Sequence, residues 1–127
     1  MKRVTGIGGI FFKSKDPKAL QEWYRKHLGI ESADEEGATF KWREHDDPSK
    51  EGWTQWTPFP HDTEYFEPTK VPFMINYRVD DLDGLLAALR EEGVAVSDKI
   101  ESHDYGRFTW ITDLEGNRVE LWEPAKE

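Results

Sequence analysis

The chain has 127 residues, no cysteine and a formal net charge of −9. Without cysteine, a disulfide framework, a zinc–thiolate site and a thiol nucleophile are excluded, and the composition suits the cytoplasm. The negative charge argues against a nucleic-acid partner, because binding to the phosphate backbone requires a basic patch. No apolar run approaches the roughly 20 residues that span a bilayer, so we expect no membrane partner.

The first predicted elements are a strand and a well-capped helix. Residues 7–14 alternate in polarity, which places Phe11 and Lys13 on the same face of the strand. Asp16 is a favourable N-cap, with proline at the first helical position, and Gly29 fits the C-terminal stop. The first part of the chain is therefore predicted to run from strand to helix to turn.

Two short extended segments follow, at 38–43 and 53–57. The next segment, 58–72, contains four prolines, which is typical of a linker or a surface loop. Three aromatic residues in this segment indicate that it packs against another surface: Phe59, Tyr65 and Phe66.

The second half repeats this order of elements. Residues 73–79 alternate as a strand, with Met74, Asn76 and Arg78 on one face. Asp80 or Asp81 then caps a helix that ends at Gly93. Three strand-like segments complete the half, at 95–101, 107–112 and 118–122.

The repeat predicts the fold class. Asp16 is as far from Gly29 as Asp80 is from Gly93, which indicates an internal duplication. We predict a single domain, 1–127, with module one over about 5–57, a linker over about 58–72 and module two over about 73–124. Two βαβββ modules give an α+β fold in which a cupped mixed sheet carries both helices on its outer face.

A family resemblance is carried by three segments: GIFFKSKDPKALQEWYRKHLGI at 9–30, INYRVDDLDGLLAALREEGV at 75–94 and TDLEGNRVELWEP at 112–124. They resemble the vicinal oxygen chelate superfamily, which includes glyoxalase I, bleomycin-resistance proteins and extradiol dioxygenases. The resemblance implies paired modules around a sheet cup. In the metal enzymes of that superfamily, the first and last strands of each module supply the ligands of one divalent ion.

Carried onto this chain, the resemblance implies four metal positions, which fall on Gly9 or alternatively Gly8, and on Gln55, Met74 and Glu120. Gly9 has no side chain, and the Met74 thioether is a poor ligand for hard ions. Gln55 is a weak, neutral ligand. One carboxylate and one amide do not hold a divalent ion against water, so we predict no metal cofactor. A metal bound through an atypical ligand set is the disfavoured alternative.

Glu120 is the one catalytic candidate. It lies between Val119 and Leu121 on a strand face shared with Arg118 and Trp122. Without a metal, burial would raise the pKa of its carboxyl group, which could then act as an acid or a base. Alternatively, Glu120 pairs with a neighbouring base and has no further role.

The other cup-facing positions predict a small-molecule pocket, mostly apolar with a few orienting polar groups. His103, near Tyr105, is the histidine best placed to rim this cup. The candidate ligand-binding residues are Phe11, Lys13, Trp42, Gln55, Met74, Asn76, Arg78, Tyr105, Trp110 and Arg118.

Three functions are compatible with these residues. The first is a metal-independent protein that binds a small organic molecule and isomerises or cleaves it, with Glu120 as acid or base. The second is a sequestering protein of the drug-resistance type, for which an acidic, aromatic cup suits a planar cationic ligand. The third is a divalent-metal-dependent lyase or dioxygenase with an atypical site. The residues leave open whether the chain is an enzyme.

The resemblance also implies a homodimer. Aromatic residues of the proline-rich segment, Phe59, Tyr65 and Phe66, are candidates for its contact surface.

Overall fold

The computed structural model describes residues 2–126, which form one seven-stranded sheet and two helices. In chain order the elements are β1 (Val4–Ser14), α1 (Pro17–Leu28), β2 (Ala38–Arg43), β3 (Glu51–Pro60), β4 (Phe73–Val79), α2 (Leu82–Glu91), β5 (Glu101–His103), β6 (Gly106–Thr112) and β7 (Arg118–Pro124). The predicted α+β fold with a mixed sheet is confirmed. Neither helix of the described chain is long and apolar enough to cross a membrane.

Both helices begin at an aspartate cap, as the sequence predicts, but α2 ends earlier than predicted, with Glu92 and not Gly93 at its C-cap. The Asp16 side chain accepts a hydrogen bond from the Ala19 N–H at 3.1 Å, which satisfies one of the free donors at the start of α1. At the start of α2 the side chain of Asp81, and not that of Asp80, accepts a hydrogen bond from the Gly84 N–H. Gly29 ends α1 with a φ of 70°, in the left-handed region that favours glycine.

The strand order is β2-β3-β1-β4-β7-β6-β5. The first strands of the two modules, β1 and β4, pair antiparallel at the centre of the sheet. Each also pairs in parallel with the last strand of its own module, β1 with β3 and β4 with β7. The two modules therefore repeat the same arrangement, although module one contributes three strands and module two four within residues 2–126.

One face of the sheet is covered by α2. Leu82, Leu85 and Leu86 of this helix pack with Val79 of β4 and Leu121 of β7 in a buried cluster. Strand alternation consequently turns the neighbouring residues of β4 and β7 to the opposite face, as predicted. That opposite face is the cup.

The cup is partly filled by the segment between β3 and β4. Phe66 has no exposed surface and packs against Met74 and Trp110. Burying a side chain of this size stabilises the fold by about 1.5–3 kcal/mol. The prediction that this segment packs against another surface is confirmed. The expectation that Phe66 serves a dimer surface is wrong, because its ring is used inside the chain.

β3 runs further than the predicted strand and includes Pro58 and Pro60. Its pairing with β2 ends at Trp56. Beyond Trp56, β3 pairs with β1 alone. The prolines are tolerated because the strand has an unpaired edge there, where no N–H donor is needed.

The strand predicted over 95–101 has the wrong bounds. β5 starts only at Glu101, and the preceding residues reach β6 through a single bridge between Val96 and Ile111. Ser97 Oγ accepts the Lys99 N–H at 3.1 Å, a local bond that competes with strand pairing. Val96 packs on the α2 cluster, so its apolar character reflects a core contact and not an extended ladder.

Candidate functional site

The inner face of the sheet holds a cavity of about 520 Å³. Its position follows from the curvature of the sheet. Trp53 on β3 and Trp122 on β7 are separated by two strands, and their ring centroids are nevertheless 4.9 Å apart. The described residues that line the cavity are Gly8, Phe11, Glu36, Thr39, Trp53, Gln55, Phe59, Tyr65, Asn76, His103, Tyr105, Phe108, Glu120 and Trp122.

Aromatic rings supply most of the cavity wall, in two groups. In one group the Phe59 ring lies 5.5 Å from Phe11 and is stacked on Tyr65 at 5.6 Å. The second group contains His103, Tyr105, Phe108 and Trp122, whose adjacent ring centroids are 5.1 to 6.2 Å apart. Rings held in this way offer a preformed, apolar surface to a flat ligand.

Glycine on β1 makes room for the cavity floor. A Cβ at Gly8 would lie 2.2 Å from Asn76 Oδ1 and 2.9 Å from a ring carbon of Trp122. Asn76 Oδ1 is packed so tightly here that it is buried and has no hydrogen-bond donor within residues 2–126. Any larger residue at Gly8 would displace Asn76 from its place in the floor.

Glu120 lies at the centre of this floor and is only 1% exposed. Its carboxylate accepts hydrogen bonds from Asn76 Nδ2 at 2.6 Å and from Trp110 Nε1 at 2.9 Å. The Tyr65 hydroxyl donates a third bond to the same group. The donors come from β4, β6 and the β3–β4 segment, so the carboxylate ties together three separate parts of the chain.

Burial is the main cause of the pKa shifts of Glu120 and Tyr65. Desolvation raises the pKa of Glu120 above its ordinary value, although its three donors and the charge of Arg118 oppose the shift. Burial, reinforced by the Glu120 charge, also raises the pKa of Tyr65. Tyr65 therefore stays protonated at neutral pH and acts as a donor to the carboxyl group.

The four residues that the resemblance places at metal positions do not fit a metal ion, and of these four only Gln55 and Glu120 line the cavity. A Cβ at Gly9 would lie 2.5 Å from the Phe11 ring, so this position has no room for a ligating side chain. Met74 is fully buried beneath Phe66 and Trp110. Glu120 is already bonded to N–H and O–H donors, which would oppose a cation. Residues 2–126 contain no group of three His, Cys, Asp or Glu side chains placed to hold one ion.

Several predicted site residues are brought together in the cavity. Phe11, Gln55, Asn76, Tyr105 and Glu120 all line it, as does His103 at the rim. Gln55 is held at both ends of its amide. It accepts the Thr39 hydroxyl at 2.7 Å and donates to the backbone oxygen of Glu36.

The other predicted ligand-binding residues lie outside the cavity lining. Trp42 covers Gly6 and Gly52, and Arg78 forms a buried ion pair with Glu44 at 3.2 Å. Lys13 sits over the Phe66 ring at 5.8 Å.

The remaining predicted residues lie on the cup face of the sheet, beside the cavity. Met74 and Trp110 pack with Phe66 in the cluster that fills part of the cup. The Arg118 guanidinium lies 4.5 Å from the Trp110 ring, beside a separate small pocket. Sequence alternation placed these side chains on the correct face of their strands but could not show how far along the cup each one lies.

Tyr65 is the most consequential residue missing from the sequence-based set of candidates. It lines the cavity and bonds to Glu120, although 55 residues separate the two in the chain. The available signal was an aromatic residue in a proline-rich segment, which indicated packing but not a partner. Phe59, Phe108 and Glu36 also line the cavity and were not predicted.

A family comparison covers most of the chain. The model described as Glyoxalase/Bleomycin resistance protein/Dioxygenase superfamily matches residues 6–121. No curated protein matches the sequence.

Solved structures with the same fold include two methylmalonyl-CoA epimerases. A variant of the Streptomyces coelicolor epimerase, in complex with 2-nitronate-propionyl-CoA, is 23% identical with a TM-score of 0.70, over 97% of this chain and 99% of that one. The Mycobacterium tuberculosis epimerase is 22% identical with a TM-score of 0.66, over 99% and 92%. A chain described as NAD-dependent benzaldehyde dehydrogenase from Legionella pneumophila is 15% identical with a TM-score of 0.57, over 92% and 98%. These likenesses concern the fold alone.

Proposed function

Because this chain belongs to the Glyoxalase/Bleomycin resistance protein/Dioxygenase superfamily, we propose that its sheet cup binds a small organic molecule without a bound metal ion. The observation that carries the proposal is the hydrogen bonding of Glu120. This residue is the only carboxylate among the four proposed metal positions, and its oxygens already accept bonds from three protein donors. A largely aromatic cavity with a few fixed polar groups is typical of a small-molecule site.

The substrate of the structurally similar epimerases is not part of this proposal. Their described ligands are CoA esters, which carry several phosphate groups. Phosphates are bound in proteins mainly by Arg, Lys and backbone N–H groups. None of the described residues that line the cavity is Lys or Arg, so the cup is poorly matched to such an anion.

Reversible binding is favoured over catalysis by the geometry of Glu120. A general base must reach the proton that it removes, at about 2.6–3.2 Å, and needs a free lone pair to accept it. Glu120 is almost fully buried, and three of the roughly four acceptor sites of its carboxylate already accept bonds from Asn76, Tyr65 and Trp110. This arrangement supports a sequestering protein of the drug-resistance type.

A metal-independent isomerase or lyase is the second candidate. It is favoured by one contact, the hydrogen bond between the Tyr65 hydroxyl and the Glu120 carboxyl group, since both residues line the cavity. A substrate that displaced this contact would meet a proton donor beside a proton acceptor.

The test is a titration of chelator-treated protein with a library of small organic fragments, followed by NMR of the tryptophan indole N–H groups. We expect bound fragments to shift the signals of Trp53 and Trp122, which line the cavity. The Trp42 signal, from outside the cavity lining, is the internal control and should not move. Binding that requires an added metal ion would contradict the proposal. Chemical conversion of a bound fragment would favour the isomerase or lyase.

A homodimer and a cytoplasmic location stay predictions for this chain. Phe59 and Tyr65 line the cup, so a dimer contact made by these two residues would lie at the cup.

A further inference from the structure

A second pocket, of about 270 Å³, lies beside the cup and is lined by different residues. Trp110 lies between the two cavities, because its indole N–H donates to Glu120 in the cup floor while its side chain lines the second pocket. The walls come from three parts of the chain: Pro68 of the β3–β4 segment, residues 95–97, and the paired strands β6 and β7. The second pocket is therefore a binding space separate from the cup.

Arg118 is the one charged residue among the described residues that line this pocket. Its guanidinium lies over the Trp110 ring, 4.5 Å from the ring centroid, and has no ion pair or hydrogen bond within residues 2–126. Nε is enclosed by the protein, whereas the two terminal nitrogens are not enclosed in this way. The terminal N–H groups are consequently able to donate to an acceptor in the pocket.

The other sheltered arginines of the described chain are paired with carboxylates. Arg78 forms its buried ion pair with Glu44, and Arg107 lies 2.8 Å from an oxygen of Asp83. Burial lowers the pKa of Arg118, which means that its charged form has lost hydration that no bonded carboxylate replaces. The guanidinium still carries its charge at neutral pH, so an anion bound in the pocket would supply the missing partner.

The protein carboxylates that act on Arg118 through their charge are engaged elsewhere. They belong to Glu120 and Glu101. Glu120 accepts its three donors in the cup floor. Glu101 lies 3.4 Å from His103 Nε2 and 3.8 Å from Lys99 Nζ. Neither forms an ion pair with Arg118, although the chain carries a net charge of −9.

The rest of the lining indicates which anion matches the pocket. Thr112 pairs with Arg118 across β6 and β7, so the two side chains lie on the same face of the sheet. A planar guanidinium binds both oxygens of a carboxylate through parallel N–H bonds, and one positive group matches one negative charge. The apolar walls suit a short hydrocarbon chain or a single ring. They are formed by Pro68, Ala95, Val96 and Ile111.

We propose that this pocket is a second ligand site, which binds a small monocarboxylate through the Arg118 guanidinium. The apolar walls hold the hydrocarbon part of the acid, and the Thr112 hydroxyl donates to the carboxylate. This inference goes beyond the small-molecule binding proposed for the cup and does not depend on it.

Three probes test the charge and the apolar part of the ligand: benzoate, neutral benzamide and inorganic phosphate. Binding to the full chain at neutral pH is followed by NMR of the Arg118 Nε–H and the tryptophan indole N–H groups. We expect benzoate to bind with a Kd of about 1 mM, about tenfold more tightly than benzamide. It should shift the Arg118 and Trp110 signals and leave those of Trp53 and Trp122, which line the cup, unchanged. Phosphate should bind more weakly than benzoate, because it gains nothing from apolar walls.

Arg118→Gln removes the charge, and Arg90→Gln is its matched control, since Arg90 is exposed on α2 and does not line the pocket. The first should weaken benzoate binding about tenfold, to the level of benzamide, and the second should leave it unchanged. Arg118→Lys keeps the charge and the alkyl stem over Trp110 but loses the planar fork, so it should weaken benzoate binding about threefold. The lysine variant also provides the test if the glutamine variant does not fold.

The outcomes separate this inference from the function proposed for the cup. Benzamide that binds as tightly as benzoate, or a benzoate affinity that is unchanged in Arg118→Gln, would overturn the inference. Phosphate that binds more tightly than benzoate would also overturn it. Benzoate that shifts Trp53 and Trp122 instead of Trp110 would contradict the second site and support binding in the cup. If no probe shifts any signal at about 10 mM, the second site fails and the proposed function of the cup still stands.

Discussion

Glu120→Ala is expected to destabilise the fold by about 3 kcal/mol, because each buried donor left without an acceptor costs about 1–3 kcal/mol. The substitution removes the shared acceptor of three donors: the Asn76 amide, the Tyr65 hydroxyl and the Trp110 indole N–H. A water molecule in the vacated space would recover part of the loss. The melting temperature should fall by roughly 10 °C for a chain of this size.

The control for this substitution is Glu115→Ala in the exposed turn before β7. The Glu115 side chain makes no hydrogen bond within residues 2–126, so the free energy of unfolding should change by less than about 0.5 kcal/mol. Equal stability of the Glu115 and Glu120 variants would show that the carboxylate does not hold the cup floor together.

Glu120→Gln adds a pH readout that a simple loss of packing would not produce. Burial raises the pKa of Glu120 above the value of 4.5 for an exposed glutamate. The contribution of this group to stability is therefore complete below pH 4.5 and is lost as the pH rises through the raised pKa. The glutamine variant does not titrate. We expect the stability advantage of the wild type over Glu120→Gln to shrink as the pH rises from 4.5 through the raised pKa of Glu120.

Phe66→Ala is expected to cost about 3–5 kcal/mol in unfolding free energy, the range for truncating a fully buried phenylalanine. Phe66 is packed on Met74 and Trp110 with no exposed surface, and its neighbours cannot easily collapse into the space. The loss should loosen the β3–β4 segment that carries Tyr65. Urea denaturation measures the stability change.

Phe40→Ala is the matched control, because Phe40 has the same side chain and is 47% exposed on β2. Its truncation should cost less than about 1 kcal/mol. If both phenylalanine variants lose the same stability, the segment between β3 and β4 is not part of the core.

Much of the fold was predictable because its signals are local. The Asp16 and Asp81 caps, the Gly29 stop and the alternation of β4 and β7 depend on residues close together in sequence. The internal repeat then placed the two modules in one sheet. The bounds of β3 were less predictable, since proline is tolerated there only because β2 pairing ends at Trp56.

The site was predictable in part. Alternation placed Phe11, Asn76 and Glu120 on the cup face, and all three line the cavity. The bond from Tyr65 to Glu120 depends on how a long, irregular segment folds back over the sheet, which no local pattern encodes. The position of Trp42 was likewise not predictable from a local sequence pattern. It lies over glycines at positions 6 and 52, because these offer a flat surface for its ring.

The most direct measurement for the central claim is the metal content and metal response of protein purified without a metal-chelating tag. Elemental analysis is combined with thermal unfolding in Ni²⁺, Zn²⁺, Mn²⁺, Fe²⁺ or a chelator, for the wild type and Glu120→Ala. A metal that binds only the folded chain must raise the melting temperature, through a stabilisation of RT ln(1 + [L]/Kd). The donors around Glu120 predict no stoichiometric metal and no such rise. About one metal ion per chain, lost in Glu120→Ala together with a metal-dependent gain in stability, would contradict a metal-independent cup.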